Sequence, residues 1–301
     1  MKTKLLSGIL AMFMAAAALC GCSQQAEPAA SQDSGAKTAA FDSNAEITVV
    51  TREEGSGTRD AFTELTGVLV KDGDTKTDNT TVSAVTINST EAVITNVKDN
   101  PAAIGYISLG SLNDSVKAVK INDVAPTAEN VKSGDYVISR PFNIAYKGDL
   151  SEVAQDFADF IMSSDGQKVI SDNGYVTVSE NAAYAGSKPS GKVTVAGSSS
   201  VSPVMEKLAE AYKTVNPDAQ IEIQTSDSSA GMQAAMQGTC DIGMASRELK
   251  DAEKGELTPM TIAKDGIAVI VNNANTCDSL TLDMVKSIYT GDVTDWSSAL
   301  K

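Results

Sequence analysis

Residues 51–62 have the sequence TREEGSGTRDAF, in which a glycine- and serine-rich turn joins an apolar run to a helical pattern. The preceding residues, 47–51, form the short apolar run of a buried strand. The following residues place apolar side chains at helical spacing: Ala61, Phe62, Leu65, Val68 and Leu69. A helix that begins at this turn leaves the backbone N–H groups of Ser56, Gly57 and Thr58 unpaired at its positive dipole end. The segment therefore predicts a strand, a turn and a helix that together cradle an anion.

Arg52 lies at the end of the predicted strand and adds a planar guanidinium, which can bind an oxyanion through two parallel N–H groups. The same pattern also fits an ordinary strand-to-helix loop with a capped helix start. This segment alone does not decide between an anion site and a structural loop.

The composition limits the partners and the chemistry of the chain. Its 301 residues, 42% of them hydrophobic, suit one or two globular lobes with a sizeable core. The net charge is −15, and removal of residues 1–21, which contain two lysines and no acid, lowers it to −17. This charge argues against nucleic acid and anionic membrane surfaces as partners. Histidine is absent, which excludes Ser-His-Asp catalysis, Cys-His catalysis and histidine-ligated zinc.

The first 44 residues predict export and anchoring. Residues 1–21 combine two lysines with a following apolar run, which is typical of a secretion signal too short to span a bilayer. The sequence LCGC at 19–22 resembles a bacterial lipoprotein signal, so we expect Cys22 to be the lipidated mature N-terminus. A plain secretory signal is the alternative. Residues 22–44, rich in Gln, Ala and Ser, predict a flexible tether.

From residue 47 onwards, apolar strand patterns alternate with helical patterns, which predicts an α/β fold. Residues 102–109 predict a further buried strand, and residues 153–169 predict one amphipathic helix. Residues 179–192 break the alternation with Ser, Gly, Pro and Lys, and they predict a linker.

Three more strand-to-turn units follow the linker, and their turns have the same chemistry as the first. They have the sequences GSSSVSP at 197–203, SDSSAG at 226–231 and DIGMASR at 241–247. The four turns supply hydroxyl groups and small residues, and Arg52 and Arg247 add positive charge. Many hydroxyl and backbone donors with few cations suit a desolvated, tetrahedral oxyanion. The structural alternative is a set of independent serine caps, which are common in α/β proteins.

Enzyme motifs fail on inspection. The sequence GSKPSGK at 186–192 imitates a P-loop, but Val193 stands where Ser or Thr must hold magnesium. The sequence GSG at 55–57 lacks the G-x-S-x-G spacing of a nucleophile elbow. The acidic residues are scattered, so we predict no catalytic residue, no metal and no cofactor. The two other cysteines of the predicted mature chain are Cys240 and Cys277, and the sequence leaves their pairing open.

The motifs of residues 45–301 together resemble a known family, the phosphate-binding lipoproteins that feed the high-affinity phosphate ABC transporter. The similar segments are REEGSGTRDAF at 52–62, GSSSVSP at 197–203, SSAG at 228–231, DIGMASRELK at 241–250, IAKDGIAVIVN at 262–272 and IYTG at 288–291 with Trp296. The resemblance implies a monomeric binding protein that performs no chemistry. It would capture inorganic phosphate and deliver it to ABC transporter permease subunits, at the extracellular face of the bacterial cell membrane and attached only by its lipid anchor.

The order of the motifs departs from the family, in which the Gly-Ser-Ser motif precedes the Arg-x-x-Gly-Ser-Gly-Thr motif. Here residues 45–178 resemble the C-terminal part of the family and residues 192–301 resemble its N-terminal part. This order indicates a circular permutation, in which linker 179–192 joins the usual termini of the family. The alternative is a fragment that spans two tandem copies, each missing its other half.

The resemblance implies a two-lobed, periplasmic-binding-protein-like (type II) α/β fold that closes on its ligand about a hinge. One lobe would combine residues 45–140 with residues 267–301 and would contain the Arg-x-x-Gly-Ser-Gly-Thr motif. The other lobe would be the contiguous segment 141–266. We expect the hinge where the chain crosses between the lobes, near residues 140–141 and 265–267, and the ligand in the cleft between the lobes.

Carried over motif by motif, the resemblance assigns the phosphate contacts to Arg52, Ser56, Gly57, Thr58, Ser199, Ser200, Ser228 and Ser246. Some family members place an aspartate where this chain has Ser246 followed by Arg247. An aspartate accepts the proton of phosphate and repels sulfate, so another tetrahedral oxyanion such as sulfate is the alternative ligand. Glu54 is a candidate replacement acceptor or an ion-pair partner of Arg52. Arg247 is a candidate for added anion affinity.

Two other classes of function stay open from the sequence. A secreted phosphoesterase could use the same cradle on a phosphate ester, although the chain offers no evident nucleophile with a base. A non-transport surface interaction protein with a degenerate lobe fold would not bind phosphate at all.

Overall fold

The computed structural model describes residues 40–73 and 75–301. The predicted signal peptide, the predicted lipidation site at Cys22 and the predicted tether as far as residue 39 lie outside the described residues. Phe41 packs edge-on against Trp296 with 5.8 Å between the ring centroids, so the chain contacts the folded domain from that point. No helix in the described part of the chain is long and apolar enough to cross a bilayer.

A mixed β-sheet runs through the folded domain. The strands of the described residues are β1 (Thr48–Arg52), β2 (Leu69–Asp72), β3 (Thr75–Asp78), β4 (Val85–Ile87), β5 (Ala103–Ser108), β6 (Lys117–Ala118), β7 (Lys120–Ile121), β8 (Ser139–Tyr146), β9 (Gly191–Ser198), β10 (Ala219–Ser226), β11 (Ile242–Ala245), β12 (Thr258–Val271) and β13 (Ser279–Leu280). The main sheet has the strand order β10-β9-β11-β8-β12-β5-β1-β4, with β6 paired to β12. Strands β2 and β3 form a separate antiparallel pair, and β7 pairs with β13.

Helices alternate with the strands, which confirms the predicted α/β fold. They are α1 (Gly57–Thr66), α2 (Thr90–Asp99), α3 (Ala128–Ser133), α4 (Glu152–Met162), α5 (Ser164–Asp172), α6 (Ser202–Val215), α7 (Ser228–Gln237), α8 (Asp251–Lys254), α9 (Leu282–Thr290) and α10 (Trp296–Ala299). Most begin after a Ser, Thr or Asp side chain that accepts a hydrogen bond from the first turn, as Ser89 does for α2. The hydroxyl-rich turns of the sequence therefore mark helix starts.

The single helix predicted over residues 153–169 was wrong, because the chain forms α4 and α5 with a break at Ser163. Ser163 is extended, and its hydroxyl accepts a hydrogen bond from the N–H of Gly166 at 3.3 Å. A side chain at Gly166 would overlap the carbonyl group of Phe160. A serine cap inside an apolar periodic pattern thus ends one helix and begins another.

The buried apolar side chains form two cores. Core A comprises clusters of residues from 47–138 and 267–299 together with Val176. Core B comprises clusters of residues from 142–263. Each core packs helices against its own part of the main sheet, as apolar side chains on both sheet faces require.

Strands β8 and β12 connect the parts of the sheet that border the two cores. β12 pairs with β8 through Thr258–Gly266 and then with β5 through Ile267–Val271. Where β12 changes partner, Arg140 Nη2 lies 3.1 Å from Asp265 Oδ2, and Ser108 Oγ donates to Asp265 Oδ1 at 3.0 Å. Burial raises the pKa of Asp265 above its ordinary value, and its interactions with Arg140 and Ser108 offset that rise only in part. A buried ion pair therefore lies at the chain crossing.

The predicted linker is shorter than residues 179–192, because β9 already begins at Gly191. Its middle is attached to α4 through Asp156. The Tyr184 hydroxyl donates to one carboxylate oxygen of Asp156 at 2.5 Å, and the Ser187 N–H donates to the other at 3.0 Å. The segment between α5 and β9 therefore runs along the domain in a fixed course.

Candidate anion-binding site

The hydroxyl-rich turns of the sequence meet at one place, where strands end and helices begin. Strand β1 ends at Arg52 and β9 ends at Ser198, while α1, α2 and α7 begin at Gly57, Thr90 and Ser228. Their first turns contact one another through the side chains described below. Converging helix N-termini supply unpaired N–H groups and positive dipole ends, which is an environment that favours an anion.

Three buried hydroxyl groups form the first contact between the two sides of the site. Thr58 Oγ1, in the first turn of α1, lies 2.8 Å from Ser200 Oγ, in the turn between β9 and α6. Thr90 Oγ1 lies 3.1 Å from the same Ser200 oxygen. Thr58 and Thr90 belong to elements that border core A, and Ser200 lies beside core B. Since a hydroxyl can rotate to donate or accept, these groups can pair with each other or with a ligand oxygen.

A second group of hydroxyls surrounds Ser246, which directly follows β11. Ser198 Oγ donates to Ser246 Oγ at 2.9 Å, and Ser228 Oγ lies 3.3 Å from the same atom. The Ser246 N–H also donates to Ser228 Oγ at 3.1 Å. Gly57 lies directly against this group, because a Cβ atom there would overlap the Ser228 hydroxyl and lie 2.8 Å from Ser246 Oγ. Only glycine lets the start of α1 approach these serines so closely.

Arg52 is a buried cation of the site, with 2% of its surface exposed. Its Nε and Nη2 groups donate to the two carboxylate oxygens of Glu53 at 2.8 and 2.7 Å. Nη2 also donates to Ser199 Oγ at 3.1 Å. The backbone N–H of Arg52 donates to the hydroxyl of Tyr106 at 3.1 Å, which fixes the end of β1. Arg52 therefore joins the core A side of the site to a serine on the core B side.

The turn that precedes α1 is fixed by its backbone. Gly55 has φ +90°, in the left-handed region that glycine adopts without strain. Its carbonyl oxygen accepts a hydrogen bond from the N–H of Ser229 at 3.1 Å. Ser56 is buried, and its hydroxyl caps α1 by accepting from the N–H of Arg59 at 3.3 Å. The predicted contact Ser56 thus already serves as the helix cap.

The carboxylate beside Arg52 is that of Glu53 and not that of Glu54. Glu54 is exposed, whereas the Glu53 side chain is 19% exposed and makes a two-point ion pair with Arg52. A buried guanidinium needs a nearby counter-charge, and Glu53, the residue next to it, supplies that charge. The sequence pointed to Glu54, because adjacent carboxylates cannot be told apart without the course of the turn.

Arg247 is buried, but its guanidinium is already bound to protein groups. Nη1 and Nη2 each lie 2.7 Å from a carboxylate oxygen of Glu253, and Nη2 also donates to Ser229 Oγ at 3.2 Å. Nε lies 3.1 Å from Asp60 Oδ2. The aliphatic part of Arg247 lies beside Gly57 and the serine hydroxyls that Gly57 contacts. Its charged end points to the carboxylates of Glu253 and Asp60.

Thr90 and Ser198 also belong to the cluster of hydroxyl groups around Ser200 and Ser246, although they were not among the predicted contacts. Ser198 lies within the quoted motif GSSSVSP, one residue before the assigned positions. Thr90 follows Ser89, which caps α2, so the sequence NSTE at 88–91 contains a helix-start signal of the same kind. The helix-start signal indicates Thr90, and the position of Ser198 where β9 ends in a hydroxyl-rich turn indicates Ser198.

A cavity of about 520 Å³ lies next to the cluster and is lined from both sides of the domain. Its lining includes Asp60, Arg140, Arg247 and Lys250, so charges of both signs face it. Arg247 also borders the serine hydroxyls of Ser228 and Ser246 beside Gly57. Its side chain therefore lies between these hydroxyls and the cavity.

Comparison with known proteins places the chain in a family. Residues 21–165 and 182–301 match the family model described as the PBP superfamily domain. The chain is 46% identical over 297 residues to a Streptococcus pneumoniae protein named phosphate-binding protein PstS 2, an alignment that covers 98% of this chain and 99% of that protein. It is 51% identical over 259 residues to the Streptococcus agalactiae protein of the same name, covering 85% of this chain and 88% of that one.

A solved structure has the same fold. It is the crystal structure of a phosphate ABC transporter, phosphate-binding protein from Streptococcus pneumoniae, which matches with a TM-score of 0.68 and 49% identity. The match covers 85% of this chain and 100% of that one.

Proposed function

The chain belongs to the PBP superfamily and, within it, to the family of phosphate-binding proteins, and from this premise we propose that it captures inorganic phosphate for an ABC importer. In this proposal the anion binds among the hydroxyls of Thr58, Ser199, Ser200, Ser228 and Ser246, beside Arg52 and the backbone of Gly57. The protein then delivers the anion to the permease subunits of the transporter. The observation that most supports it is the contact of Arg52 Nη2 with Ser199 Oγ, because it joins a buried positive charge on one side of the site to an assigned hydroxyl on the other side.

Phosphate suits this arrangement chemically. Its four oxygens accept hydrogen bonds in a tetrahedral array, and the site supplies hydroxyl donors, helix-start N–H groups and one guanidinium. In the structure described here the hydroxyls of Thr58 and Ser200 bond to each other. Phosphate oxygens would replace such hydroxyl-to-hydroxyl contacts with hydrogen bonds to an ion, which are the stronger kind.

Capture would take place by closure of two lobes. We assign residues 45–140 with 267–301 to the lobe around core A and residues 141–266 to the lobe around core B. The pairing of Arg140 with Asp265 lies where β8 and β12 pass between the cores, and it supports a hinge at that crossing. Hydroxyls from both lobes would then surround the ligand only when the cleft is closed.

A circular permutation explains the order of the motifs in this proposal. Residues 45–47 and 294–296 lie side by side, since Ile47 N–H donates to Thr294 O at 2.8 Å and Trp296 N–H donates to Ala45 O at 3.2 Å. The described residues, 40–73 and 75–301, belong to one compact unit that contains both sets of motifs. Both facts favour one permuted domain over a fragment of two tandem copies.

The proposed protein performs no chemistry and works outside the cell as a monomer, attached to the membrane through lipid on Cys22. The predicted export signal and lipoprotein sequence at 19–22 support this location. Transport binding proteins need a specific site and a closing cleft, and they need no nucleophile. The same reasoning predicts no turnover of phosphate esters.

Sulfate is a second candidate ligand, because the groups around Ser246 would not repel it. Among the hydrogen bonds of the described residues, those of Ser246 Oγ are to the hydroxyls of Ser198 and Ser228. A hydroxyl accepts the proton of phosphate but does not repel fully ionised sulfate as a carboxylate does. Selection of phosphate would then rest on the number and geometry of the hydroxyl partners.

Titration calorimetry of the purified protein with inorganic phosphate tests the proposal. We expect one phosphate per chain and a rise in melting temperature on its addition, because a ligand that binds only the folded state stabilises it. Competition with sulfate between about pH 5 and pH 8 compares an anion that changes protonation with one that stays fully ionised. If phosphate produced neither binding heat nor a shift in melting temperature, the proposal would be contradicted. If sulfate bound more tightly than phosphate, sulfate and not phosphate would be the ligand.

A further inference from the structure

We propose that Asp60 and Arg247 form a latch that holds the two sides of the cleft together without contacting the ligand. Asp60 lies on α1, whose Phe62 is part of core A, while Arg247 follows β11, whose Met244 is part of core B. Asp60 Oδ2 and Arg247 Nε are 3.1 Å apart. The inference deepens the proposed function, because the latch would set how long a captured anion is retained.

One partner of the latch, Arg247, is held in a fixed orientation. Arg247 is held in place from its own side by Glu253, with both distances 2.7 Å, and by the carbonyl oxygen of Glu248 at 2.9 Å. Its Nε is therefore presented towards Asp60 without a rotamer search. A pre-oriented guanidinium loses less entropy on pairing than a free one, so the contact can form and break repeatedly.

The contacting atoms are shielded, although the Asp60 residue is not. The Asp60 side chain is 37% exposed, yet its Oδ2 and Arg247 Nε are both inaccessible to solvent and have no hydrogen bond of good geometry within the described residues. The ionic contact between these two atoms therefore offsets the free energy that each loses when it is removed from water. Lys250 Nζ, 3.5 Å from the same Asp60 oxygen, adds a second positive charge.

The latch is separate from the anion cluster but close to it. Ser229 connects the two, because its hydroxyl accepts from Arg247 Nη2 at 3.2 Å and its N–H donates to Gly55 O at 3.1 Å. Asp60, Arg247 and Lys250 line the neighbouring cavity, where solvent and salt can reach them when the cleft opens. A contact made only between closed sides favours the closed state over the open state by its own free energy.

The test uses Asp60→Asn, which keeps the shape of the side chain and removes its charge. Protection of the Ser229 amide from hydrogen exchange, measured by NMR without ligand, reports the contact with Gly55 directly. We expect this protection to fall about fivefold, the upper limit for a partly exposed ion pair. We also expect the dissociation rate of inorganic phosphate, measured by stopped flow, to rise by about the same factor with little change in the association rate.

Glu64→Gln is the matched control. Glu64 lies one turn further along α1 and pairs with Lys71 at 2.6 Å on the same side of the cleft. This variant loses one charge from the same helix and should change neither the Ser229 protection nor the phosphate dissociation rate. Asp60→Glu should restore part of both, because it keeps the charge.

The outcomes separate the latch from the proposed function. If the parent protein binds no phosphate but Asp60→Asn still lowers the Ser229 protection, the latch stands and the proposed ligand is wrong. If Ser229 protection is the same in the parent and in Asp60→Asn, the latch is overturned, whatever the phosphate affinity. An equal loss in Glu64→Gln would show a general charge effect of the helix and would also overturn it.

Discussion

Arg52 and Arg247 have similar partners on their own side of the cleft, but they contact different groups on the opposite side. Both side chains are buried, and each is held by two hydrogen bonds to one glutamate, Glu53 or Glu253. They differ in what they meet across the cleft. Arg52 reaches the neutral hydroxyl of Ser199, whereas Arg247 reaches the carboxylate of Asp60.

We propose that this difference makes Arg52 the cation that binds the anion and Arg247 a structural one. Arg247 has two carboxylates beside it, Glu253 and Asp60, so the protein itself provides more than its counter-charge. Arg52 has one carboxylate, Glu53, and otherwise contacts the hydroxyl of Ser199, which can turn towards an incoming anion. A residue type and its burial therefore do not identify a ligand contact; the groups that face it do.

The largest expected effect comes from Arg52→Ala. We expect phosphate binding to weaken by about 3 kcal/mol or more, roughly 150-fold, which is the cost of unpairing a buried charge. Titration calorimetry measures the change, and Lys207→Ala, which removes an exposed lysine of a surface ion pair, is the control. The double variant Arg52→Ala with Glu53→Gln removes the carboxylate left behind. A value within about 0.5 kcal/mol of the parent in both variants would show that Arg52 does not bind the anion.

Gly57→Ala should have the next largest effect. The added methyl group would overlap the Ser228 hydroxyl and press on Ser246, so α1 must move away from the serines. We expect phosphate affinity to fall by about 2 kcal/mol, the usual cost of forcing an atom into a packed site. Gly255→Ala is the matched control, because a Cβ there would find its nearest atom at 3.5 Å. Equal affinities for the two variants would place the ligand away from the start of α1.

A smaller effect, on stability alone, is expected at Glu253. Burial raises the pKa of Glu253, but hydrogen bonds from Arg247 and the Lys250 amide, with the charges of both residues, outweigh it and leave the pKa below its usual value. A lowered pKa in the folded state contributes stability above the unfolded pKa, about 4.3, and this contribution is lost as the pH falls through the folded value.

Glu253→Gln should therefore be less stable than the parent by about 1.5 kcal/mol at pH 7, with the gap narrowing below about pH 4. Urea unfolding at both pH values measures it. A gap that stays constant with pH would show that Glu253 stabilises Arg247 through shape and not through charge.

The sequence predicted the hydroxyl-rich turns that meet in the structure better than it predicted which charges pair there. Arg52, Gly57, Thr58 and the five assigned serines lie in motifs whose residue types are themselves the signal, since hydroxyls and glycines at helix starts have one physical use in common. The turns that contain them were therefore predictable, and the α/β fold with them.

Which charges pair was not predictable in the same way. Glu53 and Glu54 are adjacent, and only the course of the turn after β1 decides which carboxylate reaches Arg52. The partners of Arg247 come from α8 and α1: Glu253 lies six residues after Arg247, whereas Asp60 lies far from it in sequence. The break at Ser163 was missed because apolar periodicity continues through it, although a serine cap interrupts the helix. Charge pairs between distant residues and local helix caps are not visible in periodic sequence patterns, because both depend on the tertiary structure.

The most direct measurement is a crystal structure of the protein grown with inorganic phosphate. We expect one phosphate whose oxygens lie within hydrogen-bond distance of the Arg52 guanidinium, of Ser199 and Ser228 and of the Gly57 N–H, with Arg247 still bound to Glu253 and Asp60. Phosphate bound to Arg247, or bound to groups from one side of the cleft alone with Arg52 still paired only to protein groups, would contradict the roles assigned to the two arginines.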